Sequence, residues 1–288
     1  MEQILRSIYQ ERASDPSTLG VLIIEKRDEN DPDIDMFDAI LLIITADESL
    51  PIYTKHYSTT TGIAAMHIIS DKKLKKWLML GTKRKVVDWL FSGIVIFDRN
   101  EYVDTLRKEL KGTPMLGQEL KMGIELSRLV RSCAEGKKFY EQENYLDAYH
   151  HVVTSLHHLA RLAVIEKGLF PEVKVWGQVK KIDPAVFKLY EELVMSDEVL
   201  EKRLELLFLA SEFFIYNRTA TGAKHILNVM RTKDRWEIQE LHENEELRLY
   251  SVELEVLISY LIKKDFIRVV EKRSKNNTVN HRLYSVSE

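Results

Sequence analysis

The apolar positions along the chain change rhythm twice. Over residues 1–115 two periods are mixed. Residues 2–12 place Ile4, Ile8 and Tyr9 on one side of a helix. Four short apolar runs follow, at 21–24, 39–45, 62–70 and 93–97, without polar alternation. Runs of this length and texture fit strands buried on both faces. Helical spacing returns at 74–80, 85–91 and 101–110. Strands interleaved with helices in this order predict a small mixed sheet covered by helices.

From 116 to 218 the period is 3.6 almost throughout. Helices are predicted at 118–132, 137–166, 185–194 and 197–217, with Asp183-Pro184 and Ser196 as start signals and Gly168 and Pro171 as stops. A helical bundle is the natural architecture. After 219 the rhythm changes again. Helices at 223–231, 236–242 and 246–264 lead into an alternating strand at 266–273, an Asn-rich turn at 275–278 and a return strand at 279–286. Three helices and a β-hairpin form the winged helix-turn-helix order. The expectation is therefore an α+β multidomain chain divided at 1–115, 116–218 and 219–288.

Composition narrows the function classes. The 288 residues are 45% hydrophobic and 30% charged, with 42 basic and 45 acidic side chains and a net charge of −3. That excludes disorder over the whole chain and a polycation that coats nucleic acid, though not a local basic face. Cys133 is the single cysteine, which excludes a disulfide framework and a Cys-rich zinc site. No apolar run approaches the ~20 residues of a membrane span, and residues 1–4 do not begin a secretory signal. A cytoplasmic protein with no membrane partner is expected.

Two basic groups stand out. Lys72, Lys73, Lys75, Lys76, Lys83, Arg84 and Lys85 meet one acid, Asp71, and suit phosphate or RNA-backbone contact; Lys83, Arg84 and Lys85 are the candidate nucleotide or phosphate ligands. In the wing, Arg268, Lys272, Arg273 and Lys275 are candidate nucleic-acid ligands, with Arg282 nearby. The recognition helix expected at 246–264 instead begins among Glu245, Glu246, Glu253 and Glu255, with Arg248 alone among them. Acids repel phosphates, so contact through the wing is expected over base readout, and a protein partner is weighed equally. The acids between 28 and 38 read as a solvated loop. His150, His151, His157 and His158, seven apart in pairs, read as bundle residues.

The strand at 21–24, the turn after it and the strand at 39–45 headed by Asp38 resemble the nucleotidyltransferase superfamily. The full domain order is similar to the YgxA-like group: a nucleotidyltransferase-like domain, a helical substrate-binding-like domain and a C-terminal helix-turn-helix. The resemblance implies a Gly-Ser turn, an Asp-x-Asp pair and a third acid on a neighbouring strand, which together hold two Mg²⁺ ions for nucleotidyl transfer. Asp38 matches the first acid and Arg27 the basic residue after the turn. Ile40 stands at the second acid, Ala65 and His67 at the inward positions for the third, and Glu25-Lys26 replaces Gly-Ser. Asp98 is the spare carboxylate, and Asp38 the metal ligand if Mg²⁺ binds. The expectation is a nucleotidyltransferase-like pseudoenzyme that binds a nucleotide, nucleic acid or protein partner. The rivals are an active metal-dependent transferase acting on a small molecule, RNA or protein, and a winged-helix transcription regulator.

Overall fold

The structure is a computed structural model describing residues 2–26, 34, 36–49, 52–59, 62–80, 82–111, 117–273 and 280–287. It divides into two compact units, one of residues 1–116 and 168–173 and one of residues 117–167 and 174–288.

The first unit opens with helix α1 (Glu2–Ala13), followed by strands β1 (Thr18–Glu25), β2 (Ala39–Thr45), β3 (Tyr53–Thr59) and β4 (Gly62–Ser70). Helices α2 (Asp71–Leu80) and α3 (Arg84–Ser92), strand β5 (Ile94–Asp98) and helix α4 (Tyr102–Lys111) complete it. The sheet order is β3-β4-β2-β1-β5, with β2 and β4 parallel and the other neighbours antiparallel. The unbroken apolar runs have a direct cause. On one face Leu22, Ile24, Ile40, Leu42, Ile44 and Ala65 pack against α2, α3 and α4. On the other, Val21, Ile23, Leu41, Ile43 and Met66 pack against Leu5 and Tyr9 of α1. Strands covered on both sides need apolar residues at both parities. Phe170, which follows the long bundle helix in sequence, packs into the first of these cores. The expected strand order lacked β3, a mostly exposed edge strand of mixed polarity.

The second unit contains α5 (Gln118–Glu141), α6 (Tyr145–Glu166), α7 (Val175–Ile182), α8 (Pro184–Met195), α9 (Leu200–Gly222), α10 (Lys224–Met230), α11 (Ile238–Glu243), α12 (Leu254–Lys263) and the hairpin β6 (Ile267–Arg273) and β7 (Asn280–Val286). Compactness thus joins the bundle and the C-terminal segment into one body, where the sequence textures change at 218. Two boundaries move. The break expected at 133–136 lies at 142–144, where Glu143 takes φ 62°. Gly136 is inside α5 because a Cβ there would stand 2.9 Å from His151 Cβ, so its role is close helix packing. The helix expected at 246–264 is a 3₁₀ segment over Leu247–Glu253 and then α12, divided at Ser251 with φ 57°. Between α10 and α11, Trp236 exchanges backbone hydrogen bonds with Tyr284 of β7 at 2.9 Å each way, adding a one-residue third strand to the hairpin.

Gly62 is the position where backbone freedom matters. Its φ is 144°, and an added Cβ would fall 2.1 Å from Asp38 Oδ2. Gly62→Ala is expected to cost about 2–3 kcal/mol in urea denaturation, from left-handed strain and displacement of that carboxylate.

Candidate functional site

Asp38 immediately precedes β2. Its N–H donates to Ile63 O at 2.8 Å, and its Oδ2 accepts the Ile63 N–H at 2.8 Å. The carboxylate therefore closes the start of the β2–β4 ladder. Two residues on, Ile40 pairs with Ala65 across the parallel ladder, and both are buried in the core against α2, α3 and α4. His67, on the same side of β4, stacks on Trp89 of α3 with ring centroids 5.4 Å apart. Burial, then the neighbouring His56, holds its imidazole below the ordinary range and so favours the neutral form. The positions that the resemblance assigns to the second and third acids are thus hydrocarbon and a stacked ring.

Asp98 does not fill the gap. Gly20 pairs with Asp98, and Lys26, whose N–H donates to Asp38 O, follows the Glu25–Ala39 pair, so Asp98 and Asp38 lie six residues apart along β1, roughly 20 Å at ~3.3 Å per residue. Ligands of one Mg²⁺ lie within about 4 Å of each other, since each is ~2.1 Å from the ion. The Asp98 carboxylate instead accepts the N–H groups of Val103 at 2.9 Å and Asp104 at 3.3 Å, capping α4. Asp98 is therefore corrected from spare ligand to helix cap. Among the described residues no group of three His, Cys, Asp or Glu side chains could hold a metal.

The basic stretch is partly neutralised. Lys72 pairs with Glu48 at 2.8 Å and Lys75 with Asp71 at 3.1 Å. Lys83 is exposed in a left-handed conformation before α3, and Lys85 is half-buried in its first turn. Arg27 and Lys275, and the side chains of Arg84 and Arg273, lie outside the described residues.

The second unit holds a buried polar network. Glu125 of α5 accepts from Arg161 Nε at 2.7 Å and is bonded to His158 Nδ1 at 2.8 Å, both on α6. Arg128 stands 3.7 Å from Glu125 and 4.0 Å from Glu253, which also lies 4.0 Å from Arg131. Arg161 is 1% exposed, and its Nη1 is buried without a hydrogen-bond partner. Burial opposes the Glu125 charge, but the His158 hydrogen bond and the charges of Arg161, His158 and Arg128 outweigh it and draw the carboxyl down to about 2. Burial alone brings the Lys121 ammonium down to about 7. Trp176 of α7 stacks on Tyr190 of α8 with ring centroids 4.1 Å apart, both half-buried.

The winged segment carries a groove of about 600 Å³ between the turn after α10 and the hairpin. Arg231, Arg235 and Arg268 line it and are exposed; Lys233 and Asp234 stand beside them. Lys233 is engaged by Glu240 and lies over the Trp236 ring. Lys272 is exposed further along β6. The recognition-helix position is differently placed. At the N-terminal end of α12, Glu253 faces Arg128 and Arg131 of α5, and toward its C-terminal end Tyr260 OH lies 2.8 Å from Thr219 Oγ1 of α9. The end that enters a major groove in DNA-reading helices is here against the bundle.

Three family models match consecutive segments: Nucleotidyltransferase-like over 1–118, YgxA-like substrate binding domain over 119–218 and Helix-turn-helix domain over 224–286. Protein YgxA of Bacillus subtilis (strain 168) is 45% identical over 285 residues, 99% of this chain and 97% of that protein. The chain belongs to the YgxA family. A crystal structure of a nucleotidyltransferase-like protein from Exiguobacterium sibiricum 255-15 matches with a TM-score of 0.83 and 39% identity over 99% of both chains. The family fixes the nucleotidyltransferase-like fold and the helix-turn-helix; no helix among the described residues is long and apolar enough to cross a membrane.

Within the YgxA-like segments, sequence reasoning missed the roles of Glu125, Arg161, Arg231 and Arg235. Arg161 did carry a signal, since it is the one Lys, Arg, Asp or Glu between Asp147 and Glu166 in an apolar helical run. Arg231 and Arg235 lie in an ordinary polar turn and become a site only when the hairpin folds beside them.

Ile40→Asp is expected to lower stability by ~4 kcal/mol without restoring a metal site, measurable by urea denaturation with and without Mg²⁺. Glu125→Gln leaves buried Arg161 uncompensated and is expected to cost about 3–5 kcal/mol. Because the folded Glu125 carboxyl titrates below its unfolded value of 4.5, its stabilisation is full above roughly pH 5 and is lost toward pH 2. Thermal melts of the wild type and Glu125→Gln should therefore converge as pH falls through that window.

Proposed function

We propose that this YgxA-family chain is a nucleotidyltransferase-like protein without two-metal transfer chemistry, and that it binds the phosphate backbone of nucleic acid through its winged helix. The observation that carries the first half is the Ile40–Ala65 rung, buried where the superfamily places carboxylates, beside an Asp38 engaged by a backbone N–H. The second half rests on the groove with Arg231, Arg235 and Arg268. Guanidinium groups donate to phosphate oxygens in paired geometry, and their charge releases counterions from a nucleic acid. The α12 end docked on α5 favours backbone contact over base readout. A nucleotide at Lys83, Arg84 and Lys85 is the subordinate reading, supported by two described cationic side chains at the start of α3. A role in transcription regulation would require sequence preference, which this geometry disfavours.

Fluorescence anisotropy with labelled 20-bp duplexes of unrelated sequence at low salt tests this reading. Comparable affinities are expected across sequences. Arg231→Ala/Arg235→Ala/Arg268→Ala should weaken binding at least ~10-fold and flatten the log-affinity against log-salt slope by about 2–3, as three phosphate contacts dictate. Unchanged affinity in that variant, or no binding by wild type, would reject the nucleic-acid half. Mg²⁺-dependent nucleotidyl transfer by pure protein, abolished by Asp38→Ala, would reject the other half. Unchanged ATP affinity in Lys83→Ala/Arg84→Ala/Lys85→Ala would remove the nucleotide reading.

A further inference from the structure

The groove of the winged segment has a floor as well as a basic rim. Arg268 of β6 pairs with Ser285 of β7. On the other edge of β7, Trp236 pairs with Tyr284 in the antiparallel sense. The residue before Trp236 therefore stands beside the residue after Tyr284. Arg235, Ser285 and Arg268 thus form one row across three chain segments, and residues opposite one another in such a row share a face. Neighbouring segments lie ~4.8 Å apart, so the two arginines flank the serine about 10 Å from each other. All three residues line the groove.

The donors in this row are uncommitted. Ser285 is 7% exposed, and among the described residues its hydroxyl donates only to Val286 O, at 3.4 Å. A good O–H···O bond measures about 2.7–2.8 Å, so this contact is long and the buried hydroxyl keeps its capacity for a better partner. Arg235 and Arg268 are exposed and have no hydrogen-bond or ion-pair partner among the described residues. Their neighbours are tied down: Arg231 donates to Asn228 Oδ1 at 3.0 Å, and Lys233 is engaged by Glu240.

Charge and donor direction select the ligand. With Lys233 engaged, Arg231, Arg235 and Arg268 against Asp234 leave an excess of two positive charges along the groove. A phosphodiester within a strand offers a single negative charge and two free oxygens. A phosphomonoester carries nearly two charges at neutral pH and three strong acceptor oxygens. Guanidiniums on both flanks and a hydroxyl at the floor approach from three directions, which a group with three free oxygens meets in full. We propose that the row Arg235, Ser285 and Arg268 is a seat for a phosphomonoester, carried by the end of a nucleic-acid strand or by a free nucleotide. The strand-end form rests on the nucleic-acid reading above and adds to it a preference for phosphorylated ends.

Anisotropy titrations of the full chain with one labelled duplex, bearing either phosphate or hydroxyl groups at all its strand ends, test the seat. The phosphorylated duplex is expected to bind at least ~10-fold more tightly. Ser285→Ala should reduce that ratio to less than about 3-fold, and Ser285→Asp, which sets a carboxylate between the guanidiniums, should remove it. Competition separates the sources. Displacement of the phosphorylated duplex by AMP but not by adenosine supports a seat open to free nucleotide, whereas a ~10-fold end preference that AMP does not compete supports the strand end alone. Equal affinities for the two duplexes, with no displacement by AMP, overturn the seat and leave the nucleic-acid reading standing. Should neither duplex bind, that reading fails, and calorimetry with AMP decides the seat by itself: binding lost in Ser285→Asp supports it, and no binding overturns it. Should Ser285→Asp fail to fold by circular dichroism, Arg268→Gln, at an exposed position, takes its place.

Discussion

Strand β2 has no polar side to give. From Ala39 to Ile44 its residues are apolar and buried, alternately against α1 and against the layer of α2, α3 and α4. A carboxylate within that run loses its hydration with no polar partner on either face to replace it. The constraint spreads outward. It keeps Ala65 opposite Ile40 and leaves Asp38, just before the strand, as the first position where an acid is tolerated. There the acid serves the ladder, accepting the Ile63 N–H beside a glycine that has no Cβ to displace it. The two ends of the β2–β4 ladder thus differ: hydrocarbon fills the rungs from Ile40 onward, and a carboxylate closes the first one.

The second unit is organised by the opposite means. Glu125, Arg161 and His158 join α5 to α6 through charges taken out of water, which is seldom the most stabilising choice available. Such pairs do fix register, because hydrophobic helices alone can slide by a turn at small cost. Arg128 and Arg131 extend the network to Glu253, so the same helix that sets the bundle register also receives the start of α12. Gly123 adds shape to charge: a Cβ there would stand 2.1 Å from the Tyr250 hydroxyl, so only glycine admits that ring. The winged segment is therefore held by the bundle rather than tethered to it. Its basic surface is displaced from the recognition helix to the turn after α10 and the hairpin.

Legibility followed burial. The runs that became β1, β2 and β4 were readable because both parities are apolar, and that occurs only where both faces are covered. Strand β3 was not readable, since residues 53–59 form an exposed edge with polar and aromatic side chains interspersed, and its pairing is decided by β4. The break expected over residues 133–136 is continuous helix, because close approach of α6 admits glycine at 136 within it. The hairpin was legible from alternation and turn chemistry. The docked state of α12 was not, because Ser251 takes a conformation that propensity does not predict and Glu253 finds partners more than 120 residues away. For the site, the missing acids at 40 and 65 were visible directly. The groove was not, because Arg231 and Arg268 come together only through the Trp236–Tyr284 bridge that seats the turn against the hairpin.

Helix α9 shows why amphipathicity measures one environment at a time. Its inner stripe packs in the bundle, and its outer stripe of Leu206, Leu209, Phe213 and Tyr216 is exposed. The two stripes cancel as a moment, so the segment reads from sequence as a buried helix. Only the structure separates them, by placing Leu204 and Ile215 inside and Leu209 and Phe213 outside.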